Sequence, residues 1–168
     1  MRSRLWAVPA LRRTGGHVFL ANVAAPFFEY DPVKNTWQRR GFEQGVGHDK
    51  NAVIDPKRRK LVVGGGGEIF VYDLRNFSRK SGATGETSIH SARYPGLAYD
   101  PVSDRIIAWN GGADVYVLDV DTMVWTKRVS SGRVVPTAAT PNGTFGRWQY
   151  IPSKNALTAS MRVSTFTG

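Results

Sequence analysis

The chain has 168 residues, 41% of them apolar, and its 23 lysines and arginines outnumber 13 aspartates and glutamates for a formal charge of +10. Such apolar content excludes wholesale disorder, and with no cysteine disulfides, thiolate metal sites and thiol nucleophiles are excluded as well. The charge favours anionic partners such as nucleic acid or another polyanion, or else a solvated surface that keeps the protein soluble.

Residues 1–13 carry arginines at positions 2, 4, 12 and 13 around only a short apolar stretch. A secretory leader needs about 7–15 apolar residues and a small-residue cleavage site, and neither is seen. No later run reaches the roughly 18 apolar residues of a membrane span. No membrane contact and, by default, a cytoplasmic location are therefore expected. Phe28-Glu29-Tyr30-Asp31-Pro32 then leads through a turn to Asn35-Thr36-Trp37. Ala52-Val53-Ile54-Asp55-Pro56 passes through a basic turn to Leu61-Val62-Val63 and the glycines 64–67, and Phe70-Val71-Tyr72-Asp73-Leu74 follows. Leu97-Ala98-Tyr99-Asp100-Pro101 runs to Ile106-Ile107-Ala108-Trp109 and Gly111-Gly112, and Tyr116-Val117-Leu118-Asp119-Val120 leads to Trp125. Last come Trp148-Gln149-Tyr150-Ile151-Pro152 and Ala156-Leu157-Thr158-Ala159.

Short segments rich in Val, Ile, Tyr and Phe, ended by Asp-Pro or Gly-Gly, read as strands closed by turns. The proline ring presets φ, the Asp side chain caps nearby N–H groups, and glycine admits positive φ. No stretch holds a helical period over about ten residues. Aspartates 31, 73 and 119 stand 42 and 46 residues apart, and prolines 56, 101 and 152 stand 45 and 51 apart. Two interleaved motifs thus keep step, and one period yields four strands, at 52–55, 60–64, 68–74 and near 77–80. Four strands in such a period make one propeller blade.

The glycine pair, the following Val-Tyr-Val-Leu-Asp strand and the Trp six residues after its Asp resemble the kelch motif. The likeness is fullest at 111–125 and partial at 31–37 and 64–73, where the late Trp is missing from the middle copy. The resemblance implies an all-β fold of kelch-like β-propeller blades with four antiparallel strands each. Kelch propellers commonly serve as binding platforms, with some enzymes among their relatives. Blades fall at about 5–41, 48–80 and 94–129, with a partial one at 146–160. Closed propellers usually need 4–8 blades, so a single domain over 1–168 is expected to form a partial propeller of about 3.5 blades. Two chains closing a ring as a homodimer is the favoured outcome. The alternatives are a closed four-bladed ring completed by residues 5–8, or a piece of a longer propeller.

In such blades the A–B and C–D turns share one face, which collects Lys34, Lys57, Arg58, Arg59, Lys60, Arg75, Arg105 and Lys154. An anion-binding basic face is expected there, without the interleaved aromatics that stack bases. The opposite face receives the loops 42–50, 81–94 and 130–144, which carry Glu43, His48, Asp49, Glu86, His90 and Arg93. These are the candidate ligand-face residues, with His48 and His90 at comparable places in successive repeats.

None of the histidines at 17, 48 and 90 has ligand spacing to a second donor, so no metal and no cofactor is expected. The repeated aspartates read as turn caps rather than as a catalytic carboxylate pair. Glycines 64–67 lead into a strand, whereas a phosphate loop opens a helix. The copper-radical relatives of kelch propellers use a Tyr–Cys cofactor that a cysteine-free chain cannot form. Trp37 and Trp125 occupy matched positions and are expected to pack between blades. The expected function is a non-enzymatic, self-associating binding module. The alternatives are a carbohydrate-active or sugar-binding protein using the loop-rich face, and a polyanion or nucleic-acid-backbone binder using the basic face.

Overall fold

The computed structural model describes residues 16–20, 27–40, 47–141, 143–144 and 147–159. The polypeptide is all-β. Its strands are β1 (Val18–Leu20), β2 (Phe27–Asp31), β3 (Thr36–Arg40), β4 (Asn51–Asp55), β5 (Lys60–Gly65), β6 (Glu68–Asp73) and β7 (Arg79–Ser81). They continue as β8 (Thr84–Gly85), β9 (Gly96–Asp100), β10 (Arg105–Trp109), β11 (Asp114–Asp119), β12 (Val124–Val129), β13 (Trp148–Ile151) and β14 (Ala156–Ala159). Among the described residues the only helical turns are two short 3-10 segments, Thr87–Ser91 and Pro152–Lys154, and no helix is long and apolar enough to cross a membrane. The strands form four sheets, ordered β1-β2-β3, β4-β5-β6-β7, β8-β12-β11-β10-β9 and β13-β14. Among the described residues all strand pairings are antiparallel except β8 with β12.

The segments expected at 52–55, 60–64 and 68–74 form β4, β5 and β6. β6 ends at Asp73 because that carboxylate caps the turn, accepting the Arg75 N–H at 2.8 Å. The outer strand begins two residues later than expected, at Arg79, because Phe77 lies within the turn at φ 57. The loop expected over 81–94 carries structure of its own. After Gly82 it runs beside β12 and adds β8 to the edge of the third sheet, where the Thr84 and Glu86 N–H groups donate to the Met123 and Trp125 carbonyls. Residues 5–8 and Glu43 lie outside the described residues.

Two apolar clusters hold the first three sheets together. One joins Phe19 and Phe27 of the first sheet to Leu61, Val63, Phe70, Tyr72 and Leu74 of the second. The other joins Val62 and Ile69 of the second sheet to Ile106, Ala108, Leu118 and Val120 of the third, with Trp125 and Ile89. Strand register makes them equivalent. Leu61 pairs with Tyr72 as Ile106 pairs with Leu118, and Val63 pairs with Phe70 as Ala108 pairs with Tyr116. Alternation along each strand sends one set of side chains forward and the other back. The front of one sheet thus packs on the rear of the sheet before it, at the same positions twice.

The third contact follows suit. Trp109, alternating away from Ile106 and Ala108, stacks on Trp148 of the fourth sheet with ring centroids 5.3 Å apart. The Trp148 indole donates to the Ile107 carbonyl at 3.2 Å. Gly96 permits this approach, because a Cβ there would lie 2.5 Å from the Trp148 Cβ.

Candidate functional site

At the turn end, Arg58 is the centre of an ion-pair network spanning the second and third sheets. Asp55 accepts the Arg58 backbone N–H at 2.9 Å and pairs with its guanidinium at 3.0 Å while fully buried. The same guanidinium grips Asp104 with two bonds, at 2.8 and 2.9 Å, and its Nε reaches Asp121 at 2.8 Å. Lys57 adds a 2.6 Å contact to Asp104, and the Tyr99 hydroxyl donates to that carboxylate at 2.9 Å. Bidentate guanidinium–carboxylate pairing is the strong, directional form of this interaction. Arg58 above all, with Lys57, holds the Asp104 carboxyl well below the usual carboxylate range. Burial and the neighbouring Asp104 push the Tyr99 hydroxyl up to about 12.

Beside this network lies an open basin of about 660 Å³ lined by Lys57, Arg58, Lys60, Asp73, Arg75 and Asp121. The cations of this end are largely matched. Arg75 donates to the Arg58 carbonyl and sits 3.7 Å from Asp73, and outside the basin Arg105 pairs with Asp119 at 3.0 Å and Lys34 lies 3.6 Å from Asp31. Lys60 and Arg59 make no ion pair among the described residues. The turns that collect eight cations also hold Asp31, Asp55, Asp73, Asp100, Asp104, Asp119 and Asp121. That end is consequently much nearer neutral than its lysines and arginines alone imply. Sequence reading singled out the cations and passed over Tyr99, Asp104 and Asp121, although the acids stand in the same turns.

At the loop end, Asp49 and Arg93 form a bidentate pair at 2.8 and 3.0 Å. Arg93 lowers the Asp49 pKa, and Asp49 raises that of Arg93. The Asp49 carbonyl accepts the Tyr94 N–H, and the Gly66 and Gly67 N–H groups donate to the Ala92 and His90 carbonyls at 2.9 and 2.7 Å. The glycine run is thus gripped from both sides. A Cβ at Gly65 would meet the Asp49 carbonyl at 2.5 Å, and one at Gly66 the His48 carbonyl at 2.7 Å. Lys50 closes the turn by reaching the Gly65 carbonyl and Glu68, both at 3.1 Å.

His48 and His90 therefore flank the same glycine turn through their backbones, while their side chains diverge. His48 is exposed. The His90 ring meets Trp125 edge-on at 6.1 Å, its Nε2 buried without a partner, and burial lowers its pKa. Glu86 is exposed and engages Trp125 only through its backbone. Of the five ligand-face candidates among the described residues, the structure brings together Asp49 and Arg93. No group of three or more His, Asp or Glu able to hold a metal occurs among the described residues.

The faces of the sheets carry a further feature. Register places Trp37, Arg79 and Trp125 at one equivalent position, paired with Tyr30, Tyr72 and Leu118. Arg79 stands where the middle copy lacks its Trp, its guanidinium 4.3 Å over the Phe70 ring. Trp125 is 2% exposed beneath the second sheet, whereas Trp37 is 55% exposed. Trp37 makes a tilted ring contact with Tyr30 at 5.0 Å.

The chain matches no protein-family model and no curated protein. Among solved structures it is similar to the domain assigned as the extracellular part of the one-component system BT4673 from B. thetaiotaomicron, with a TM-score of 0.51 and 16% identity. The match covers 91% of this chain and 19% of that one, so the chain spans a small part of that structure. At this identity the likeness bears on the fold alone, an all-β arrangement of antiparallel sheets.

Proposed function

We propose that the chain is a non-enzymatic interaction module, an arc of kelch-like propeller blades that self-associates through the sheet faces left over at its two ends. The observation that carries this reading is the position-by-position match of the two apolar clusters, Leu61–Tyr72 answering to Ile106–Leu118. A unit that stacks by a repeated front-to-rear contact offers one further front and one further rear of the same kind. Exposed apolar faces of this sort mark association sites. The alternative of a polyanion binder using the turn end is weakened by Asp55, Asp104 and Asp121, which occupy Arg58 and Lys57. Light scattering behind size exclusion, over about 1 to 100 μM, tests the reading. A mass that rises to a multiple of 18.5 kDa is expected, and a constant single-chain mass overturns it.

A further inference from the structure

Among the described residues, the front face of the first sheet is the surface that most needs an occupant. Phe28, Tyr30 and Trp37 share it, since Trp37 pairs with Tyr30 and Phe28 lies two residues from Tyr30 along β2. In the second and third sheets the equivalent face carries Phe70 with Tyr72, and Tyr116 with Leu118, and a preceding sheet packs on it. In the fourth sheet, Trp148 stacks on Trp109 and Tyr150 shares its face, so alternation turns Gln149, Ile151, Ala156 and Thr158 to the rear. Among the described residues one chain thus presents a front and a rear of the kind that its sheets join internally.

We propose that the occupant of the Phe28–Tyr30–Trp37 face is the rear of the β13-β14 sheet of a second copy of this chain, docked head to tail. The inference rests on the self-association proposed above and names the surfaces that carry it. The match lies in place, because each internal contact already joins the front of one sheet to the rear of another, the rear being aromatic at Phe19 and Phe27 and branched at Val62 and Ile69. A bulky aromatic with over half its surface in water, seated on a broad sheet face, has the character of an interface anchor. The contact is heterologous: the two partners contribute different surfaces, so a closed pair buries two copies of it.

The distinguishing test uses two separately damaged full-length chains. Trp37→Glu removes the front anchor, and Thr158→Lys places a charge on the exposed rear strand. Each is expected to raise the dissociation constant by about thirtyfold or more, the scale of an interface hot spot. Mixed together they are expected to associate again, because the intact rear of the first variant meets the intact front of the second. Val134→Ser, at an exposed valine of the 130–138 loop, serves as a control and leaves the mass unchanged. Far-ultraviolet circular dichroism confirms that each variant is folded, and Tyr30→Lys replaces the Trp37 variant should that one not fold. If only the front variant dissociates, the contact is front to front and the inference fails. If neither variant alters an assembled wild type, this inference fails while self-association stands. A monomeric wild type overturns both.

Discussion

Arg58 ties together carboxylates from three different turns, and Asp55 among them has no access to water. A buried carboxylate that loses its partner keeps its desolvation penalty, so the cost of removing Arg58 exceeds the worth of an exposed ion pair. Arg58→Met is expected to lower stability by about 2–3 kcal/mol, read as a fall in the urea midpoint. The pH dependence follows from Asp104. Its folded-state pKa lies below the ordinary value of 3.8, so its contribution is fully present above that value and is lost as pH falls through the depressed one. Acid unfolding should therefore steepen below about pH 4, and Asp104→Asn should flatten the dependence while lowering stability at neutral pH. An acid limb identical to that of the wild type would remove Asp104 from this role.

At the scale of elements, the strands were readable because each is a short β-branched or aromatic run closed by Asp-Pro or glycine. That pattern is local, and it placed β4 and β5 within a residue of their ends. What was not readable depends on contacts between distant segments. β8 has two residues and exists because the Met123 and Trp125 carbonyls are there to receive it. Arg79 sits in the tryptophan position because a flat cation can cover the Phe70 ring as an indole would. The cations of the turn end were visible in the sequence, and so were their counter-acids. Only stacking of the second sheet on the third brings Arg58 onto Asp104 and Asp121.

The 86–95 loop yields a prediction at the same scale. His90 is held neutral by burial, with its pKa depressed below 6.5, and Trp125 is the aromatic ring it meets. Stability from this group is present above 6.5 and falls away as pH drops through the lowered value. Amide exchange at Gly66 and Gly67, whose N–H groups bond the loop carbonyls, should quicken relative to the β5 core as pH falls below the ordinary histidine value of 6.5. His90→Phe should abolish that difference, and a response unchanged by His90→Phe would rule the histidine out.

For the whole molecule, net charge and assembly pull in opposite directions. Each chain carries +10, and the turn cations are largely matched by turn acids, so the surplus lies elsewhere. Lys80 on the edge strand β7, and Arg128 on β12 beyond the two residues that β8 covers, belong to it, making no ion pair among the described residues. Charged side chains on outer strands discourage edge-to-edge pairing, which leaves the apolar sheet faces as the route to association. Two positively charged chains repel across solvent, and salt screens that repulsion, the Debye length shrinking from about 10 Å at 0.1 M to about 3 Å at 1 M. An assembly held by Trp37 and its neighbours should consequently persist or tighten as salt is raised, because burial of apolar surface is not weakened by screening. Sedimentation velocity across that range measures the balance. Dissociation to single chains at high salt would mean that charge pairs hold the copies together, and the aromatic front would then be left without its assigned role.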